Sequence, residues 1–209
     1  MRKEILDFLR PITEEEQRVL EGKKDVQRGI YTSRKHFTVE SAKLLQQGKL
    51  ITVRPHTRFV HFPRHGHNYI EVFYVCQGSV THVINEEQVT VRQGELLFLN
   101  QYVEHEILPT GEEDLAINFI VLPEFFDVAF SMIEKNNVLA DFLVNTLKDK
   151  NGISQYLYFQ VAEHLQIQNL MENMIISLAD KQGNEDQINQ HTMGLVFLHL
   201  LNSVRSLKE

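Results

Sequence analysis

His65-Gly66-His67-Asn68-Tyr69-Ile70-Glu71 is the stretch whose reading decides the fold; Gly78 follows after six residues and, a strand pair later, come Gly94 and His105. Two histidines, a carboxylate and a distant third histidine are the inventory of a three-histidine, one-carboxylate metal site. Neutral imidazole and carboxylate oxygen suit Zn, Fe, Ni or Mn. On an extended strand the side chains alternate faces, so His65, His67 and Glu71 point to one side and can converge on one interior point with His105. The same four residues read equally as polar pocket residues, or as a buried hydrogen-bonded cluster without metal.

Outward from this stretch the period is that of short strands. Leu50 to Arg54, Phe59 to Phe62, Tyr69 to Cys76, Ser79 to Ile84, Gln88 to Arg92, Leu96 to Leu99 and Leu115 to Leu122 are predicted strands, several closed by Gly or Asn-Glu turns. That density of short strands indicates an antiparallel sandwich or jelly-roll barrel. Before Leu50 the spacing is helical around Pro11, and Thr13 followed by Glu16 is a capping-box pattern. A helical piece from Val39 to Gln47 is expected to stop at Gly48.

After Pro123 the texture turns helical again, with Phe125, Val128, Ala129, Met132 and Ile133, then Leu139, Phe142, Leu143 and Leu147. Lys148 to Ser154 reads as a loop and Tyr156 to Phe159 as one more edge strand. Two longer helices are predicted, Val161 to Ala179 and Gln187 to Leu207. The second is apolar over so wide an arc that it needs cover on more than one side, from the chain's own core and from a second copy. The organisation expected is an N-terminal helical arm (1–49), a barrel (50–125) and a helical, dimerising region (126–209).

The spacing H-x-H-x3-E-x6-G followed by G-x10-H resembles the two motifs of the cupin family of small β-barrels. Phe59 stands where the first motif usually opens with Gly, Asn100 and Tyr102 occupy the usual Pro and Gly of the second, and Pro109 replaces its closing Asn. All four candidate ligands remain, although the turn that presents His105 is built differently. The order of parts is similar to one cupin branch, the N-terminal sensing domain of AraC-type bacterial transcription regulators. Arg58-Phe59, Pro63 through Glu71, Tyr74-Val75 through Gly78, Gly94 through Asn100, His105, and Asp114 through Phe126 carry that resemblance.

The resemblance implies a mostly β fold, a cupin double-stranded β-helix followed by helices that dimerise. It also implies a small-molecule effector, such as a sugar, in the barrel. DNA would be read by a C-terminal pair of helix-turn-helix units that this sequence lacks. The ligand-lining set is His65, His67, Glu71, His105, Arg58, Tyr69, His82 and Asn118, the first four doubling as ligands for a divalent Zn, Ni, Fe or Mn ion. Arg58 and Arg64 at the barrel mouth suit bidentate capture of a carboxylate or a sugar hydroxyl. Tyr69, Phe73, Phe98 and Phe119 read as core packing, and Cys76, which alternates away from Glu71, as a buried small hydrophobe. The competing expectation is a metal-dependent cupin enzyme, an oxygenase or isomerase. The ~80-residue helical tail and the altered second motif favour the binding module, with no catalytic residue assigned.

Composition narrows the classes further. The 209 residues are 43% hydrophobic and 23% charged with five prolines, which describes a folded chain with a real core. Net charge is 21 − 28 = −7, so no basic stripe is available to displace counterions from a phosphate backbone. Cys76 is the only cysteine, which excludes an internal disulfide and a cysteine-rich metal cluster. The N-terminus has no apolar leader-like run and no stretch of about 18 apolar residues occurs, so a cytoplasmic, non-membrane homodimer is expected.

Overall fold

The structure, a computed structural model, describes residues 1–133, 144, 147, 152–180 and 183–206. The helical spacing expected at Leu139, Phe142 and Leu143, much of the loop expected from Lys148, and the helix end at Leu207 lie outside the described residues. No described helix is long and apolar enough to cross a membrane.

Three short helices lead the chain: α1 (Lys3–Leu9), α2 (Glu14–Leu20) and α3 (Arg28–Tyr31). The break at Pro11 and the start of α2 follow from the sequence. Thr13 accepts from the backbone of Glu16 while the Glu16 carboxylate accepts from the backbone of Thr13, closing the capping box. The helix expected over Val39–Gln47 is only one turn, α4 (Ser41–Leu44), because Thr38–Val39 forms a strand, β1, that pairs in parallel with Gly66 and His67.

Nine further strands follow: β2 (Ile51–Pro55), β3 (Phe62–His67), β4 (Ile70–Gln77), β5 (Ser79–Ile84), β6 (Glu87–Arg92), β7 (Leu96–Leu99), β8 (His105–Ile107), β9 (Leu115–Val121) and β10 (Tyr156–Phe159). They form two five-stranded sheets, β1-β3-β8-β5-β6 and β10-β7-β4-β9-β2. The edge strand expected at Tyr156–Phe159 pairs antiparallel with β7. The two sheets thus take one strand each from the segments read as arm and tail.

The strand expected at Phe59–Phe62 begins instead at Phe62. Phe59 sits in the left-handed region, φ 67°, at the position where the cupin motif carries glycine, and such a residue interrupts an extended run. Gly78, φ 73°, closes the β4–β5 turn so tightly that an added Cβ would lie 2.3 Å from an Asp114 carboxylate oxygen and 3.0 Å from its backbone.

After a 3-10 turn (Pro123–Phe126) come α5 (Asp127–Ser131), α6 (Leu165–Asp180) and α7 (Glu185–Ser206). The outer face of the β4 sheet packs on these helices and on α1. Cys76, Phe98 and Phe119 enter this apolar layer with Phe125, Phe126, Met171, Met174, Met193, Val196, Phe197 and Leu200. Phe197 stacks on Phe126 and Phe130. The wide apolar arc of α7 is therefore mainly intrachain core. Leu201 is 6% exposed within that core, whereas Ile188 and Leu195 face outward at 47% and 42%.

Candidate functional site

The other face of β4 looks into the space between the sheets. Phe73 and Val75 meet Val80, Ile84, Val91 and Ile107 of the opposite sheet there, with Tyr31, Phe37 and Val39 of the arm. Into this second core the chain sets five histidines and a glutamate. His56, His65, His67, Glu71, His82 and His105 are all buried.

Strand alternation on β3 brings His65 and His67 to the same side, and antiparallel pairing sets His65 directly opposite His105 on β8. The Nε2 atoms of His105 and His67 lie 3.7 and 4.0 Å from a Glu71 carboxylate oxygen. Ligand atoms of His65, Glu71 and His105 all fall within 4.8 Å of one another. His65 Nδ1–H donates to the Pro63 carbonyl at 2.9 Å, and His67 Nδ1–H donates to the Tyr69 carbonyl at 2.6 Å. A carbonyl can only accept, so when these imidazoles are neutral their Nε2 atoms carry the lone pairs. His82 and His105 share a 3.0 Å contact between their Nδ1 atoms.

Burial sets the electrostatics. His65 is pushed down to about 3 and His67 and His56 to about 4, chiefly because an interior without water penalises the imidazolium. His82 and His105 are held well below the ordinary histidine range for the same reason, with neighbouring histidines adding to it. Burial drives Glu71 up to about 8, opposed by the Asn118 amide.

The donor set fits a divalent cation. The Nε2 atoms of His67 and His105 and both carboxylate oxygens of Glu71 are buried without a full hydrogen bond. Leaving such groups unpaired is costly, and a cation about 2 Å from each would satisfy them together. His65, His67, Glu71 and His105 are the residues that would hold it.

The remaining expected residues divide. Tyr69 and Asn118 line a cavity of about 30 Å³ beside His65, room for one water or ion. His82 is fully buried against His105 and Phe73. Arg58 is buried but does not line the cavity. Its guanidinium is committed to Glu16, at 2.7 and 3.1 Å, and to the carbonyls of Arg10, Pro11 and Glu112. Arg64 is exposed and paired with Glu104.

The arginine that reaches the cavity is Arg54, with His56, Thr57 and Tyr31. It donates to the Tyr31 hydroxyl at 2.8 Å and to Glu15 at 2.9 Å; Tyr31 in turn donates to Glu15 at 2.6 Å. The polar run Arg54-Pro55-His56-Thr57 across the end of β2 was the available signal for these residues. Nothing local marked Tyr31 or Glu15, which arrive from the arm.

Residues 46–131 match the family pattern of the AraC-like ligand binding domain. No curated protein matches the chain in sequence. Among solved structures, an apo form of ToxT from Vibrio cholerae superposes with a TM-score of 0.56 at 12% identity, over 76% of this chain and 58% of that one. Wild-type ToxT from the same organism with an unsaturated fatty acid bound gives 0.51 at 11% identity, over 76% and 57%. The chain therefore spans somewhat over half the length of these proteins, and at such identities the likeness speaks to fold.

Proposed function

We propose that this chain, whose residues 46–131 match the AraC-like ligand binding domain, is the effector-sensing and dimerising module of a bacterial transcription regulator, with a divalent cation as part of its sensing pocket. The observation that carries the reading is the set of buried, unpaired Nε2 and carboxylate atoms of His67, His105 and Glu71 between the sheets. Here the space between the sheets is built of metal-type donors. When bound, the cation supplies a fixed positive charge in a low-dielectric interior.

The chain's own residues do the rest. His65 and His67 are oriented by carbonyl acceptors, Glu71 supplies the negative charge, and Phe73, Val75 and Ile107 exclude water. The effector class supported is a small oxygen-bearing molecule, a carbohydrate or a carboxylate, since oxygen donors suit the ion and Arg54 stands at the cavity. ToxT with its bound fatty acid lends weight to the carboxylate side. In this reading the chain pairs with a second copy through the outward stripe of α7, and DNA contact belongs to a helix-turn-helix domain outside these residues.

The test is elemental analysis of protein purified without a metal-affinity step, with light scattering on the same sample. Near-stoichiometric Zn, Ni, Fe or Mn that disappears in a Glu71→Gln, His105→Gln variant is the expected result, together with a mass twice the 24.4 kDa of one chain. Metal-free protein that takes up none of the four ions on titration overturns the metal part; a monomer overturns the dimer.

A further inference from the structure

His67 and His105 bring Nε2 within 4.0 and 3.7 Å of one Glu71 carboxylate oxygen, with a ligand nitrogen of His65 close by, and a neutral imidazole can ligate through Nε2 only if its proton sits on Nδ1. For His65 and His67 the outer nitrogen meets a backbone carbonyl, which settles where the proton is. His105 has no carbonyl there. Its Nδ1 faces the Nδ1 of His82 at 3.0 Å, with the two rings nearly parallel at 10°.

One proton lies between those two nitrogens, and its placement has two solutions. If His82 holds it, His105 carries its own proton on Nε2, aimed at the Glu71 carboxylate 3.7 Å away, and cannot ligate. If His105 holds it, His105 Nε2 presents a lone pair toward Glu71 and His65, and His82 must be the acceptor, protonated on Nε2. Only the second solution makes all three histidines equivalent as ligands.

We propose that His82, which no strand pattern links to the metal motif, is the positioning residue that sets the tautomer and ring orientation of His105 by accepting a hydrogen bond from its Nδ1–H. This rests on the metal reading of the site. His82 is suited to the role because it is fully buried, wedged perpendicular to the Phe73 ring, and held on β5 two residues from Ile84, which pairs with His105 across the ladder. An imidazole held on its outer nitrogen is a better ligand, and removing such a partner typically weakens metal binding about 10–100-fold.

The experiment titrates Zn²⁺ into metal-free wild type, His82→Phe and His82→Asn, and reads histidine tautomers in ¹⁵N-labelled wild type with Zn²⁺ bound. Phe keeps the volume and loses the acceptor; Asn keeps an oxygen near the place of Nδ1. The expected results are a loss of about 10–100-fold in Zn²⁺ affinity for Phe, recovery of most of it in Asn, and spectra with His105 protonated on Nδ1 and His82 on Nε2. A Phe variant that binds Zn²⁺ as tightly as wild type, an Asn variant as weak as Phe, or a bound spectrum with His82 protonated on Nδ1 overturns the assignment. The tautomer measurement needs no variant, so a Phe variant that fails to fold does not shield the proposal. Wild type that binds no Zn²⁺ defeats the metal reading itself, an outcome distinct from all of these.

Discussion

The two faces of β4 bury side chains equally well and to opposite ends. One face gives Ile70, Val72, Tyr74 and Cys76 to an apolar layer closed by aromatic stacking among Phe126, Phe130 and Phe197. The other gives Glu71 to a space where His65, His67 and His105 come close to it. Hydrophobic burial favours the first layer at roughly 25 cal/mol per Å². The second spends stability, since several of its polar atoms are out of water without a partner. A fold that carries such a cost inside its barrel points to a site, whereas the helical side acts as scaffold.

The sharpest way to break this comparison is to damage the scaffold alone. Phe197→Ala opens a cavity in the apolar layer, where Phe197 is fully buried against three aromatic rings. The expected loss is about 3–5 kcal/mol in denaturant unfolding, with Zn²⁺ affinity of the folded fraction unchanged. Zinc affinity falling in step with stability would mean that the two layers are not separable.

Next in size is the dependence of metal-free stability on pH. His65 and His67 titrate in the fold near 3 and 4 rather than 6.5, so their contribution is present above pH 6.5 and is lost as pH falls toward those values. Glu71 has the opposite sign. Its pKa is raised from 4.5 to about 8, so its contribution is complete below 4.5 and is lost as pH rises through 8. Thermal melts in a chelator are expected to decline on both sides. Glu71→Gln should abolish the alkaline decline, on the order of 3–4 kcal/mol between pH 5 and 8, and leave the acid one. An alkaline limb that survives the substitution would place its origin outside the barrel.

The smallest effect sharpens the role of the loop at the barrel's rim. Phe59→Gly relieves a left-handed conformation at about 1–2 kcal/mol but restores chain entropy to the unfolded state, for a net gain of about 0.5 kcal/mol. Phe59→Ala keeps the strain, loses the ring under Arg58 and should destabilise. If both variants lose stability equally, packing of the ring outweighs its backbone geometry.

Much of the barrel was legible because it rests on local rules. Alternation sets His65 and His67 on one face of β3 and Glu71 and Cys76 on opposite faces of β4, and the Thr13–Glu16 capping box starts α2 as written. That β3 and β4 belong to different sheets, so that Glu71 faces the histidines across the interior rather than along one strand, could not be read there. β8 was not legible: three residues, His105–Ile107, are too few to show a period. β1 was hidden inside a helical spacing, since its pairing with His67 is a contact across the fold.

What the sequence by itself determined is the inventory: a metal-type donor set, its spacing, the alternation within each strand, and a net charge of −7. Only the tertiary structure decided partners. It committed buried Arg58 to Glu16, away from the cavity, and brought Arg54 and Tyr31 to it. It set the Nδ1 of His82 against that of His105, 23 residues away in sequence, and folded the apolar arc of α7 into its own chain's core. Face and period are local properties of a backbone, whereas which buried group meets which depends on how two sheets and an arm close over one another.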